Sequence, residues 1–182
     1  EKAKTLGATQ AEVGGAFSMG LGLTVRKGEV ETIEFNRDKA IGITVYCGKR
    51  KGSASTNDLS EKALDATLQA AMNLAKVTEA DSFAGLGDER LMAKEMIPLD
   101  LYYPWQVETE EAIALARDCE DYALKFDKKI TNSDGASLST HQSWHMYANS
   151  HGFVGAYPTS RHSLSCVVIS EENGKMERDY QY

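Results

Sequence analysis

Apolar and polar positions alternate along the first third of this chain in short runs that predict strands. Residues 11–19, 22–26, 30–36, 40–47 and 51–56 carry this pattern, with Val30, Ile33 and Phe35 as strand formers in the third run. In 40–47, Ile41, Ile43 and Val45 fall on one face. Lys27-Gly28 and residues 48–50 supply turns so short that neighbouring strands are expected to pair antiparallel, as a meander. Ahead of the first strand the chain reads as the last turn of a helix ending at Gly7.

The period then changes. Asp58-Leu59-Ser60-Glu61 has the form of a capping box, with Asp58 as the cap and Glu61 reaching back. The helix predicted over 60–77 places Leu64, Leu68, Ala71 and Ala75 on one stripe. A second helix, over 109–127, does the same with Ala112, Ala116, Cys119, Ala123 and Phe126. Its acidic first turn (Glu110, Glu111) and basic end (Lys125, Lys128, Lys129) match the helix dipole. Between the helices, Gly85, Gly87, Pro98 and Pro104 break any period, so 84–107 reads as a linker dividing the chain into halves 1–83 and 108–182.

Strand patterning returns in the last third. Between 137 and 148 the odd positions are polar or polar-tipped, while Leu138, Trp144 and Met146 take the other face. The stretch 149–152 is a turn, and 153–171 reads as a long strand with Leu164, Cys166 and Val168 on one side and Pro158 at a bulge or edge. Asn173-Gly174 is a hairpin signal leading into a strand at 175–182. The expected fold is α+β: a mostly antiparallel sheet built of hairpins, with two main amphipathic helices packed on it.

Composition narrows the function. The 182 residues, 42% hydrophobic and 26% charged, are those of an ordinary globular chain. Surface scaling for 19.9 kDa predicts a folded area of about 8,700 Å². A net charge of −7 opposes nucleic-acid binding, which needs a positive field, and Lys49-Arg50-Lys51 reads as a solvated hairpin turn. Cys47, Cys119 and Cys166 show no zinc or disulfide spacing and read as reduced, mostly buried thiols. No apolar run is long enough to span a membrane, so a cytoplasmic location is expected. The chain opens at Glu1 without methionine, as a trimmed fragment would.

No catalytic or metal motif is complete. His141 and His145 would stack on a helix, but on a strand they stand about 13 Å apart along it. Zinc needs ligand nitrogens about 3.4 Å apart, and no H-E-x-x-H glutamate lies between them. His162 and Ser163 point to opposite strand faces, and no nucleophile elbow surrounds them. The glycines at 14–22 lack the Lys-Ser/Thr of a phosphate loop. No catalytic and no metal-binding residue is therefore assigned. The polar face bearing His141, His145 and Tyr147 remains as a candidate surface for an extended peptide.

Several stretches in consistent order carry a resemblance. They are 30–36 (VETIEFN), 42–46 (GITVY), 50–55 (RKGSAS) with 58–60 (DLS), 130–132 (ITN), 149–152 (NSHG), 159–165 (TSRHSLS) and 171–180 (EENGKMERDY). In these the chain resembles the N-terminal part of the TldD/PmbA family, and the PmbA (TldE) type more than the TldD type. The resemblance implies a bacterial cytosolic metallopeptidase complex that degrades unfolded peptides and matures a peptide antibiotic. The family also bears the label "modulator of DNA gyrase". Zinc is expected on a TldD-type partner, held by an H-E-x-x-x-H helix in a C-terminal domain that this sequence does not include, and no cofactor is expected on this region. The implied partners are a TldD-like subunit or a second copy, together with linear peptides. The alternative is a non-proteolytic module that modulates a partner such as gyrase or an antitoxin.

Overall fold

A computed structural model describes all residues, Glu1–Tyr182. The elements are α1 (Lys2–Thr5), β1 (Gln10–Arg26), β2 (Glu29–Cys47), β3 (Arg50–Thr56), α2 (Glu61–Val77), a 3₁₀ turn (Glu89–Leu91), α3 (Thr109–Phe126), β4 (Ile130–Asn149), β5 (Val154–Glu172) and β6 (Lys175–Gln181). The strands form one six-stranded sheet in the order β3-β2-β1-β4-β5-β6. Hairpins join β1 to β2, β2 to β3, β4 to β5 and β5 to β6, while α2 and α3 lie in the connection that returns the chain from β3 to β4. This is the expected α+β architecture.

Two strand boundaries differ from expectation. The runs 11–19 and 22–26 are one strand, β1, and 30–36 and 40–47 are one strand, β2. Pairing with neighbours carries the backbone through Gly20 and through the charged stretch 37–39, where side-chain alternation alone suggests a break. The helix cap also shifts. Ser60 is the N-cap of α2, accepting from the Ala63 amide, and Asp58 instead receives the Ser60 amide in an Asx turn.

The residues pack as two units that interleave along the chain. One comprises Glu1–Phe17, Asp38–Leu101 and Ser143–Pro158; the other comprises Ser18–Arg37, Tyr102–Gln142 and Thr159–Tyr182. The sequence halves 1–83 and 108–182 follow chain order, whereas these units each draw on three separate segments.

In the first unit α2 packs on the sheet through Thr67, Leu68, Ala71, Met72 and Ala75. With Ile43 and Val45 they form a core from which Val45, Ala71 and Ala75 are wholly excluded from solvent. The approach is close because of Gly52 on β3. A Cβ there would run into the Ala71 carbonyl oxygen and the Ala75 amide, which are backbone atoms that cannot swing aside.

In the second unit α3 lays Ala112 and Ala116 against Leu21, Leu23, Val25, Ala136 and Leu138. The same face carries Glu120, which is 1% exposed. Its carboxylate accepts the Lys27 and Gly28 amides at 2.9 Å each and the Ser133 hydroxyl at 2.6 Å. Lys27 and Gly28 have φ of 52° and 76°, the two-residue turn that suits a right-twisted hairpin. Lysine is unfavourable in that left-handed region, and the carboxylate holds it there. Arg117, one turn earlier on α3, donates to the Gly28 carbonyl at 2.7 Å. Phe126, expected on the buried stripe, is 73% exposed; the stripe runs through Glu120 instead.

The total accessible area is 12,285 Å², well above the scaling expectation. Much of the excess lies in strand that nothing covers, including all of β6 and the first twelve residues of β2.

Two predictions follow from this packing. Gly52→Ala forces α2 off β3 and lowers unfolding free energy by about 2 kcal/mol in a denaturant titration. Glu120→Ala strands two amides and a hydroxyl, costing about 3 kcal/mol. Burial raises the pKa of Glu120, but the Ser133 hydroxyl and the two turn amides outweigh it, so the net direction is down. Its contribution is thus present above the ordinary carboxylate pKa and lost as pH falls through the lowered folded value. The Glu120→Ala difference from the parent should shrink over that acid range.

Candidate functional site

The structure places His141 in one packing unit, and His145 and Tyr147 in the other. His141 is half-buried over Gly20 of β1. A Cβ at position 20 would collide with the imidazole Nδ1, so the glycine makes the space the ring occupies.

His145 and Tyr147 belong to a group of aromatic side chains in the first unit. The His145 ring stacks on Tyr157 with centroids 5.1 Å apart and planes at 28°. Tyr147 donates its hydroxyl to one oxygen of Glu12 at 2.8 Å, and Tyr46 donates to the other, also at 2.8 Å. One carboxylate on β1 thereby ties together side chains from β2 and β4. Burial, followed by the Glu12 hydrogen bond and charge, pushes the Tyr46 phenol up to about 12. The same causes raise Tyr147. Both tyrosines stay protonated donors, and both Glu12 oxygens are engaged, so the cluster fastens strands and offers no free base.

The face of β4 that carries Leu138, Trp144 and Met146 behaves in two ways. Leu138 is 1% exposed in the core of the second unit. Trp144 and Met146, in the first unit, remain 36% and 52% exposed. With Phe17, Ile41, Leu59 and His145 they line an apolar recess of about 180 Å³. Phe17 and Trp144 meet at 5.6 Å between ring centroids. Alternation in the sequence put Leu138, Trp144 and Met146 on one face but did not show which of them would stay uncovered. The only signal was that a helix of one stripe covers a limited width of a long strand.

His162, the other sequence candidate, is committed on both nitrogens. Nδ1 pairs with the Thr140 hydroxyl and Nε2 with the Tyr103 carbonyl, each at 2.8 Å, and the ring meets Trp105 edge-on. These contacts fasten the start of the second unit's linker segment to β5. Cys166 is buried, with Cys119 half-buried beside the same core, and burial pushes the Cys166 thiol up to about 11. A thiol so raised is a poor nucleophile at neutral pH.

The residues of this chain do not build a zinc site: no three histidine, cysteine or acidic side chains converge. No helix is long and apolar enough to cross a membrane.

The geometry defines an α+β chain that carries an apolar recess of side-chain size. Comparison with known proteins supplies the family. Residues 12–75 match the PmbA/TldA metallopeptidase domain 1, and residues 102–182 match its central domain. The chain belongs to the PmbA/TldD family. It is 49% identical over 172 residues to "Metalloprotease PmbA" of Escherichia coli, covering 94% of this chain and 38% of that protein. A "Metalloprotease PmbA homolog" of Haemophilus influenzae is 43% identical over 98% of this chain and 40% of its own length. The chain thus spans about two fifths of the curated relatives it matches. Among solved structures, a candidate modulator of DNA gyrase from Bacteroides thetaiotaomicron superposes with a TM-score of 0.87 at 21% identity, over 98% of this chain and 41% of that one. TldE from Thermococcus kodakarensis gives 0.80 at 13%, over 98% and 40%, a likeness of fold.

The Glu12 cluster yields a prediction. The raised Tyr46 pKa stabilises the fold fully below pH 10, and that contribution disappears as pH rises through about 12. Tyr46→Phe should cost about 2 kcal/mol at neutral pH, with the gap to the parent closing in the alkaline limb of a stability–pH profile.

Proposed function

We propose that this chain is part of a PmbA/TldE-like subunit of a cytoplasmic, zinc-dependent peptidase complex. In this reading it supplies scaffold, subunit interface and part of the wall around an unfolded peptide. The observation that carries the proposal is the 49% identity with a protein named as a metalloprotease, across nearly the whole of this chain. The zinc belongs to a TldD-type partner subunit, and the hydrolytic step belongs to that partner.

The apolar recess supports the wall role. An extended peptide presents alternate side chains to a surface, and Trp144, Met146 and Phe17 form an apolar seat for one of them. His145 is among the residues lining that seat, whereas Tyr147 is not, and its hydroxyl is held by Glu12. His141 belongs to the other packing unit and does not line the seat.

The test pairs the full chain with a zinc-bearing TldD-type subunit and follows cleavage of an unfolded linear peptide. Cleavage should require both subunits and stop with chelator. Trp144→Ala and the double change His141→Ala with His145→Ala should each lower kcat/KM about fivefold, and Tyr147→Phe should change it little. Unchanged cleavage in the first two would remove the wall role. Chelator-insensitive peptide binding without cleavage in any pairing would favour the non-proteolytic binding module instead.

A further inference from the structure

β2 has an open hydrogen-bonding edge. β3 pairs with it only from Ile41 to Cys47, so residues 29–40 have β1 on one side and no strand on the other. Every residue of that stretch is exposed, including Val30 at 36%, Ile33 at 40% and Phe35 at 72%. An unpaired edge that also displays aromatic and aliphatic side chains is a template for another strand. Residues 31–37 of this edge lie within the second packing unit.

We propose that residues 31–37 form a pairing edge for a second copy of this chain, joined antiparallel about a two-fold axis at Glu34. This goes beyond the peptidase reading and does not depend on it. The argument for a second copy is the self-complementarity of the segment. A two-fold axis perpendicular to the sheet keeps each side chain on its own face, so opposed residues must have like parity and the axis must pass midway between the two copies of one residue.

With the axis at Glu34, Glu31 meets the partner's Arg37, Thr32 meets the partner's Asn36, and Ile33 meets the partner's Phe35, each twice by symmetry. Moving the axis to Ile33 sets Glu31 against Phe35, and moving it to Phe35 sets Arg37 against Ile33. Only the Glu34 axis matches opposite charges and apolar side chains together. The Ile33–Phe35 pairs fall where Phe35 already walls a groove with Met19, Leu21 and Trp105, of about 340 Å³. Glu31 is 4.0 Å from Arg26 within its own chain and Arg37 also has an interaction of its own, so the ion pair across the axis is shared at both ends. The cost is Glu34 facing its own copy on the opposite face. A generic extended peptide would gain the same backbone bonds but not this side-chain match.

The experiment is sedimentation equilibrium on the full chain. Glu31→Arg and Arg37→Glu should each weaken self-association about tenfold, and the two combined should restore it. Glu34→Gln should strengthen it. In a second arm, Glu34→Cys should crosslink to a dimer under a mild disulfide oxidant, because Cα atoms directly opposite lie within disulfide reach, about 4.5–5.5 Å. Glu31→Cys, whose copies sit about 20 Å apart in this register, should not. A chain that stays monomeric, single reversals without effect, or equal crosslinking at both positions would each overturn the proposal.

Discussion

The second unit depends on one buried carboxylate. Glu120 brings a full negative charge into the α3 face with no cation against it in the contacts that hold it; three neutral donors do the work. Two of those donors are consecutive amides of the β1–β2 turn, so the helix grips the hairpin by its backbone. That grip fixes Lys27 in a left-handed conformation and thereby the register of a long hairpin. The Ser133 hydroxyl that completes the site also receives the Gly135 amide, at 2.7 Å, so the start of β4 is set by the same cluster.

A different device serves the first unit, in which backbone meets backbone. Gly52 lets α2 sit close to β3, and the Glu12 carboxylate fastens the tyrosines of β2 and β4. Both devices leave strand surface uncovered. α2 shields Ile43 and Val45 but not Trp144 or Met146, and β3 is too short to cover the rest of β2. The functional readings arise from these uncovered parts: the recess as a seat for peptide side chains, the β2 edge as a place for a second strand.

The regular features were legible in the sequence because each has a local cause. Asn173-Gly174 adopts φ of 54° and 75°, the turn its dipeptide implies, and both long helices begin and end close to where their periodicity does. What escaped depends on tertiary contact. Glu120 sits four residues after Ala116 and eight after Ala112, on the stripe itself, yet a search for apolar periodicity passes to Cys119. A lone acidic residue on an apolar helix face is the signal that would have found it. The Glu12 cluster joins positions more than thirty residues apart, and neither glutamate nor tyrosine shows any local sign of it. The candidate face on β4 was visible as alternation, but alternation does not show that Tyr147 spends its hydroxyl on Glu12 or that Trp144 stays open.

The most direct measurement of whether Glu120 sets the hairpin is amide hydrogen exchange at Lys27 and Gly28, in the parent and in Glu120→Gln. Two amides bound to a buried carboxylate should exchange slowly in the parent. In the variant, whose side chain keeps a single acceptor oxygen, at least one of them should lose protection while the amides of α2 keep theirs. Equal protection of both turn amides in the two proteins would contradict the account.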